Sequence, residues 1–271
     1  MALSRVSKGP SVMGIVNVTP DSFFAAARTA AGDQAIARGN ELFAWGCDMV
    51  DVGGESTRPG AHDVPLHEEL ERVLPVVSAL ATRGPVSIDT RKPEVARAAV
   101  SAGAQVINDV SGALIEVAGE LGVGYVAMHS RGTPQTMQVD PHYDDLLGEV
   151  LSALEVMARR AREVGVTQLW LDPGIGFGKT LDHNLTLVAR CADFVELARR
   201  YDAGVLIGTS RKRFLGLLGP EVLDVDERLE GSISTEAWAL MSGVAMIRVH
   251  DAPVALQLRE LVGRPVAEVD S

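Results

Sequence analysis

Short apolar runs alternate with longer amphipathic stretches along the chain. The runs occupy residues 12–17, 48–52, 86–89, 105–108, 125–129, 168–172, 205–208 and 245–250. They are rich in β-branched residues and mostly lack period-two alternation. Strands covered on both faces of a parallel sheet read this way. The intervening stretches predict helices over 33–45, 66–81, 93–102, 116–121, 143–164, 181–200, 226–242 and 253–262. In the second of these, Leu70, Val73, Leu74, Val77 and Leu80 form one stripe with acidic residues in the first turn. Pro75 interrupts that stripe and predicts a kink. Gly46, Gly84, Gly103, Gly165 and Gly243 stand where helices end, and Pro93 and Pro253 suit first helical turns.

Eight strands and eight helices at a repeat of roughly 30 residues predict an α/β fold, a single (β/α)8 barrel, with residues 1–271 as one domain. A doubly wound sheet is the competing architecture, because periodicity alone does not close a sheet. No composition shift marks a second domain. The polar segments 53–65 and 130–142 read as long loops.

Composition narrows the function. Hydrophobic residues make up 46% of the chain but aromatics only 4%, so the core is mostly Ala, Val and Leu, as suits helices packed on buried strands. Twenty-five basic against 36 acidic residues give a net charge of −11, which argues against nucleic acid or an anionic membrane as partner. An anionic substrate therefore needs a local basic pocket. Cys47 and Cys191 lack partners at metal spacing and read as buried thiols in a reducing cytosol. The absence of an apolar run of about 18 residues, and of an apolar leader over 1–10, adds to the expectation of a cytoplasmic protein.

The strand ends carry the chemistry. In order they are Asn17, Gly53-Gly54-Glu55, Asp89, Asn108-Asp109, His129, Asp172, Ser210-Arg211-Lys212 and Arg248 with His250. In a barrel these points converge on one face. A single such residue reads equally well as a helix N-cap. Nearly every strand ending this way is harder to assign to capping. Asp89, Asn108 and Asp172 suit a flat heterocycle with several N–H donors, and Lys212 suits a ring carbonyl. Arg58, Arg211, Lys212, Arg248 and His250 suggest a bound polyanion such as a pyrophosphate, with surface ion pairs as the alternative. No Ser-His-Asp or Cys-His order suggests a covalent nucleophile. The glycine-rich stretch 174–179 lacks phosphate-loop spacing and reads as a close-approach loop.

The chain resembles the dihydropteroate synthases along essentially its whole length. The matching pieces are MGIVNVTPDSF at 13–23, DVGGESTRPGA at 51–61, SIDT at 87–90, INDVSG at 107–112, LDPGIGFGK at 171–179, GTSRKRFLG at 208–216 and RVHD at 248–251. The resemblance implies a TIM barrel that condenses 6-hydroxymethyl-7,8-dihydropterin pyrophosphate with p-aminobenzoate in folate biosynthesis. It implies Asp89, Asn108, Met128, Asp172 and Lys212 at the pterin, and Asn17, Thr57, Arg58, Arg248 and His250 at the diphosphate. Asn17 stands near a Mg²⁺ ion. Arg58, Pro59, Phe177 and Lys212 border the p-aminobenzoate site. Asp89, Asp172, Lys212 and Arg248 act in catalysis, and a homodimer and a sulfonamide target are expected.

The resemblance breaks in one place. After TPDSF the family usually reads Ser-Asp-Gly-Gly, whereas this chain reads Phe24-Ala25-Ala26-Ala27-Arg28. The loop aspartate falls at Ala25, both glycines are gone, and the alanines favour helix. The alternative function is a pterin-pyrophosphate binder with little or no turnover. A corrinoid-methyltransferase pterin domain shares the barrel but needs neither an arylamine site nor the diphosphate cations.

Overall fold

The computed structural model describes residues 9–18, 25–56, 61, 63–133 and 135–262, the side chains of 25–30 excepted. The strands are β1 (Ser11–Asn17), β2 (Met49–Gly53), β3 (Val86–Asp89), β4 (Val106–Asp109), β5 (Gly124–Met128), β6 (Leu169–Asp172), β7 (Gly204–Ile207) and β8 (Met246–Val249). They close into a parallel barrel in sequence order, β8 pairing back onto β1. The doubly wound alternative is thereby excluded. The helices are α1 (Ala25–Trp45), α2 (Leu66–Leu80), α3 (Pro93–Ser101), α4 (Ile115–Leu121), α5 (Leu146–Glu163), α6 (Leu181–Ala189), α7 (Cys191–Arg200), α8 (Leu229–Met241) and α9 (Ala252–Val262).

Side chains alternate across a strand, so each strand buries two sets. The outward set, including Val50, Val52, Ile88, Ile107, Leu171, Ile207 and Ile247, packs against the helices in the main core. The inward set begins with an apolar plug of Met13, Met49, Val106, Val126, Leu206 and Met246, against which Trp170 packs. Two residues further along the same strands the interior turns polar: Asp51 follows Met49, Asn108 follows Val106, Asp172 follows Trp170 and Arg248 follows Met246. Register puts these neighbours side by side, with Asp51 opposite Ser87, Asp89 opposite Asn108, and Met128 opposite Asp172. The plug forms the floor and the polar set lies at the strands' C-terminal ends, where barrel enzymes place their sites.

Several helical boundaries differ from the sequence pattern, among them that of α8, which starts at Leu229 rather than 226, after a 3-10 turn over Val225–Arg228. The stretch 181–200 is two helices, broken at Arg190 (φ −104, ψ 23). Arg190 grips Asp193 through Nε and Nη2 at 2.7 and 2.6 Å, and each half buries its own stripe, Leu187 and Val188 before the break, Phe194 and Val195 after it. Helix α1 starts at Ala25 rather than 33, as an alanine-rich segment favours. Helix α5 starts at Leu146 rather than 143, because Asp145 Oδ1 caps it by accepting from Gly148 N–H at 3.1 Å. Helix α2 continues as one element through Pro75. No helix among the described residues is long and apolar enough to cross a membrane.

Candidate active site

The floor of the barrel mouth is organised around a carboxylate inside a strand. Asp51 of β2 is fully buried, and its Oδ2 accepts from Arg248 Nε at 2.6 Å and from Asn108 Nδ2 at 2.9 Å. The same guanidinium donates from Nη2 to Asp89 Oδ2 at 2.9 Å. A buried charge persists only if paired and hydrogen-bonded, and this cluster meets that requirement across four strands. Three buried polar atoms on adjacent strands remain without a hydrogen-bond partner: Asp51 Oδ1, Ser87 Oγ and Asn108 Oδ1. Unbonded acceptors grouped at a pocket floor suit a ligand rich in N–H donors. Asp51 and Ser87 are absent from the set read at the strand ends because both lie one pleat below the tips. The available signal is an Asp in an otherwise apolar buried run.

The wall beyond β6 is a glycine-rich loop. Asp172 Oδ1 accepts from Gly174 N–H at 2.7 Å. Gly174 has φ 69, and a Cβ there would stand 1.8 Å from the carbonyl oxygen of His129. Only glycine allows this approach. Lys212 Nζ donates to the Ile175 carbonyl and lies 4.4 Å from the centre of the half-buried Phe177 ring. Met128 ends β5 buried beside Asp172. Asp89, Asn108, Met128, Asp172, Lys212, Phe177 and Arg248 thus converge on one mouth.

The rim is more mixed. Asn17 ends β1 with an exposed side chain. His250 meets Ser210 Oγ through its backbone N–H at 3.0 Å and through Nδ1 at 3.1 Å. Thr57, Arg58 and Pro59 lie outside the described residues. Arg211 does not contribute a cation for a polyanion. Its guanidinium is clamped by Asp251 at 2.7 and 2.8 Å and by Asp226 at 3.0 Å. Its left-handed backbone (φ 54) is held by Ser232 Oγ, which accepts from Arg211 N–H at 2.8 Å. Two other strand ends are structural. Asp109 accepts from Leu114 N–H at 2.8 Å and Tyr125 OH at 2.8 Å, which ties down the loop before α4. Glu55 is held by Arg91 at 2.9 Å and Lys92 at 2.6 Å.

Residues 13–250 match the family model described as pterin binding enzyme. The dihydropteroate synthase of Escherichia coli (strain K12) is 43% identical over 265 residues, covering 93% of this chain and 90% of that protein. The chain belongs to the dihydropteroate synthase family of pterin-binding enzymes. Among solved structures, Yersinia pestis dihydropteroate synthase with a sulfonamide drug complex superposes with a TM-score of 0.85 at 37% identity, covering 95% of this chain and 94% of that one. The Xanthomonas albilineans dihydropteroate synthase with 4-aminobenzoic acid gives 0.83 at 41% identity, covering 93% and 92%.

In this dihydropteroate synthase family member the floor is electrostatically tense. Burial pushes the Asp89 carboxyl up to about 7, the neighbouring Asp51 adds to the rise, and Arg248 opposes it. Burial also raises Asp172, against the pull of Lys212 and of the Gly174 N–H. Lys212 is pushed down to about 8 by burial, with Asp172 opposing. Among the described residues no group of three or more His, Cys, Asp or Glu side chains is placed to hold a metal. The exposed carboxamide of Asn17 is a hard oxygen donor at the mouth. It fits Mg²⁺, which keeps several waters and takes substrate phosphate oxygens with one or two protein ligands.

Proposed function

We infer that this chain is a transferase joining 6-hydroxymethyl-7,8-dihydropterin pyrophosphate to p-aminobenzoate, giving dihydropteroate and pyrophosphate in folate biosynthesis. The observation that carries this reading is the buried set Asp51, Asp89, Asn108 and Arg248 facing Asp172 and Lys212, in a chain 43% identical to a dihydropteroate synthase over 93% of its length. Asp172 accepts two N–H donors of the aminopyrimidine edge, and Asp89 and Asn108 take further N–H groups. Lys212 donates to the ring carbonyl, and Met128 packs on the ring. Arg248 and His250, with Thr57 and Arg58 assigned on the STRP motif, hold the diphosphate. Phe177 and Lys212 border the arylamine, joined by Arg58 and Pro59 on the same motif.

The arylamine nitrogen attacks the exocyclic methylene carbon as its C–O bond to the diphosphate breaks, and the arylamine then loses a proton. C–O cleavage leads, so positive charge develops on the pterin. The carboxylates of Asp89 and Asp172 stabilise it, and Arg248 stabilises the departing anion. Asn17 would hold a Mg²⁺ ion, which when bound would supply neutralisation of leaving-group charge. Leu185 of α6 and Trp238 and Met241 of α8 leave apolar surface exposed on adjoining helices, which supports a homodimer. The net charge of −11 and two buried, unpaired cysteines support a cytoplasmic setting. The 4-aminobenzoic acid and sulfonamide complexes of the relatives support the arylamine site and a sulfonamide target.

The test is pyrophosphate release from the dihydropterin pyrophosphate with Mg²⁺, with and without p-aminobenzoate. Release that depends on the arylamine, with dihydropteroate formed, is expected. Pterin binding without coupled product would instead assign the chain to the binding-only alternative and lay the loss on the Ala25–Ala27 segment.

A further inference from the structure

The loop between β6 and α6 is tied down at almost every residue by groups outside it. Asn184 Oδ1 accepts from Gly176 N–H at 2.6 Å, Gln138 Nε2 donates to the Gly176 carbonyl at 2.9 Å, and Tyr143 OH donates to the Gly178 carbonyl at 3.0 Å. One tie has no part in substrate binding as described. Lys179 ends the loop, is 3% exposed, and turns its Nζ back beneath it. Nζ lies 3.1 Å from the Phe177 carbonyl oxygen and 3.0 Å from His129 Nδ1.

A buried amine is costly unless it is bonded. An apolar side chain of the same length would fill this space without that cost, so packing alone does not account for Lys179. What the lysine adds is a pair of directed bonds. Burial, and then the nearby Lys179, pushes the His129 imidazole down to about 3, and the neutral tautomer protonated on Nε2 leaves Nδ1 to accept from Lys179 Nζ. Lys179 is itself pushed down to about 7 by burial, against Asp172, and either protonation state retains N–H donors for both acceptors. The bonded carbonyl belongs to Phe177, whose ring Lys212 overlies.

We propose that Lys179 is a positioning residue for the arylamine site: braced on His129 Nδ1, it holds the Phe177 carbonyl and thereby sets the ring that lines the p-aminobenzoate subsite. This rests on the assignment of Phe177 to that subsite. The pterin floor residues Asp51, Asp89 and Asn108 stand on β2, β3 and β4, and Asp172 at the end of β6 keeps its own bond from Gly174 N–H, so loss of the Lys179 bonds falls mainly on Phe177 and the two substrates respond differently.

The experiment compares Lys179→Met and Lys179→Gln with the unaltered enzyme, alongside Phe177→Ala. In Lys179→Met the KM for p-aminobenzoate rises about tenfold while the Kd for the dihydropterin pyrophosphate stays within about twofold, and Lys179→Gln, which retains a donor for the carbonyl, recovers part of the loss. A parallel weakening of both substrates, or an unchanged KM for p-aminobenzoate in Lys179→Met, overturns the proposal. If Phe177→Ala leaves that KM unchanged, the subsite assignment fails and the proposal falls with it. A raised KM in Phe177→Ala with none in Lys179→Met rejects only the role of the lysine. The unaltered enzyme supplies a check independent of any variant: nitrogen-15 NMR of His129 shows an unprotonated Nδ1 and a protonated Nε2, and the opposite tautomer would remove the bond on which the proposal stands.

Discussion

Arg248, on the last strand of the barrel, donates from Nε to Asp51, on the second, at 2.6 Å, closing the polar floor across 197 positions of chain. Asp51 is fully buried and is the common acceptor for Arg248 and Asn108. Removing its carboxylate leaves a guanidinium and a carboxamide short of a partner in a poorly solvated place. Asp51→Ala is therefore expected to destabilise the fold by about 3 kcal/mol, and Asp51→Asn, which retains an acceptor, by less. Urea unfolding at neutral pH measures both, and equal midpoints for the two variants and the parent would remove Asp51 from this role.

The pterin and diphosphate contacts separate by substitution. On the proposed assignment Asp172→Ala deletes a buried acceptor for the ring's N–H donors and is expected to weaken pterin binding by about a hundredfold or more. Arg248→Ala is expected to weaken the diphosphate-bearing substrate more than the free pterin. Calorimetric titration with the two ligands reads the difference. Equal losses in Arg248→Ala would place that arginine at the ring rather than at the diphosphate.

Much of this arrangement is legible in the sequence, for a physical reason. Parallel strands in a barrel all point their C-terminal ends one way, so Asp89, Asn108 and Asp172 are recognisable simply as polar residues that stop apolar runs. Asp51 is hidden because it sits inside such a run, and only register and the reach of Arg248 reveal its partners. Arg211 looks like one more cation in the set. Its neutraliser, Asp251, is 40 residues away and becomes apparent only when β8 packs beside β7. Likewise, the break at Arg190 leaves the apolar periodicity of 181–200 unmarked. Asp109 and Glu55 share the strand-end signature with the site residues and are spent on loop structure instead.

Glu236 of α8 links burial to pH. It is 3% exposed, and burial with the added repulsion of Asp251 pushes its carboxyl up to about 8. Between its ordinary value and about 8 the folded state holds a proton that the unfolded state releases. Stability is therefore lost as pH rises through this window and levels off above it. Glu236→Gln removes the titration, so it should match the parent at pH 5 and exceed it at pH 9, by up to about 4 kcal/mol. Denaturation midpoints across that range check the sign. A parent whose stability rises from pH 5 to pH 8 while the variant's stays flat would assign Glu236 an ionised, paired state.

In the proposed mechanism Asp89 and Lys212 set the pH dependence of turnover. Asp89 is there an ionised acceptor beneath the developing cation, so kcat/KM is expected to rise with pH through an acid limb lying well above the usual carboxylate range, where burial and Asp51 push this carboxyl. Lys212 is in that mechanism a protonated donor, so kcat/KM is expected to fall as pH passes about 8, the value to which burial lowers it. The expected profile is a narrow bell between these limbs, reporting the free enzyme. Lys212→Arg keeps a permanent cation at the same place and should abolish the alkaline limb while leaving the acid one. If the alkaline limb survives in Lys212→Arg, a group other than Lys212 titrates there.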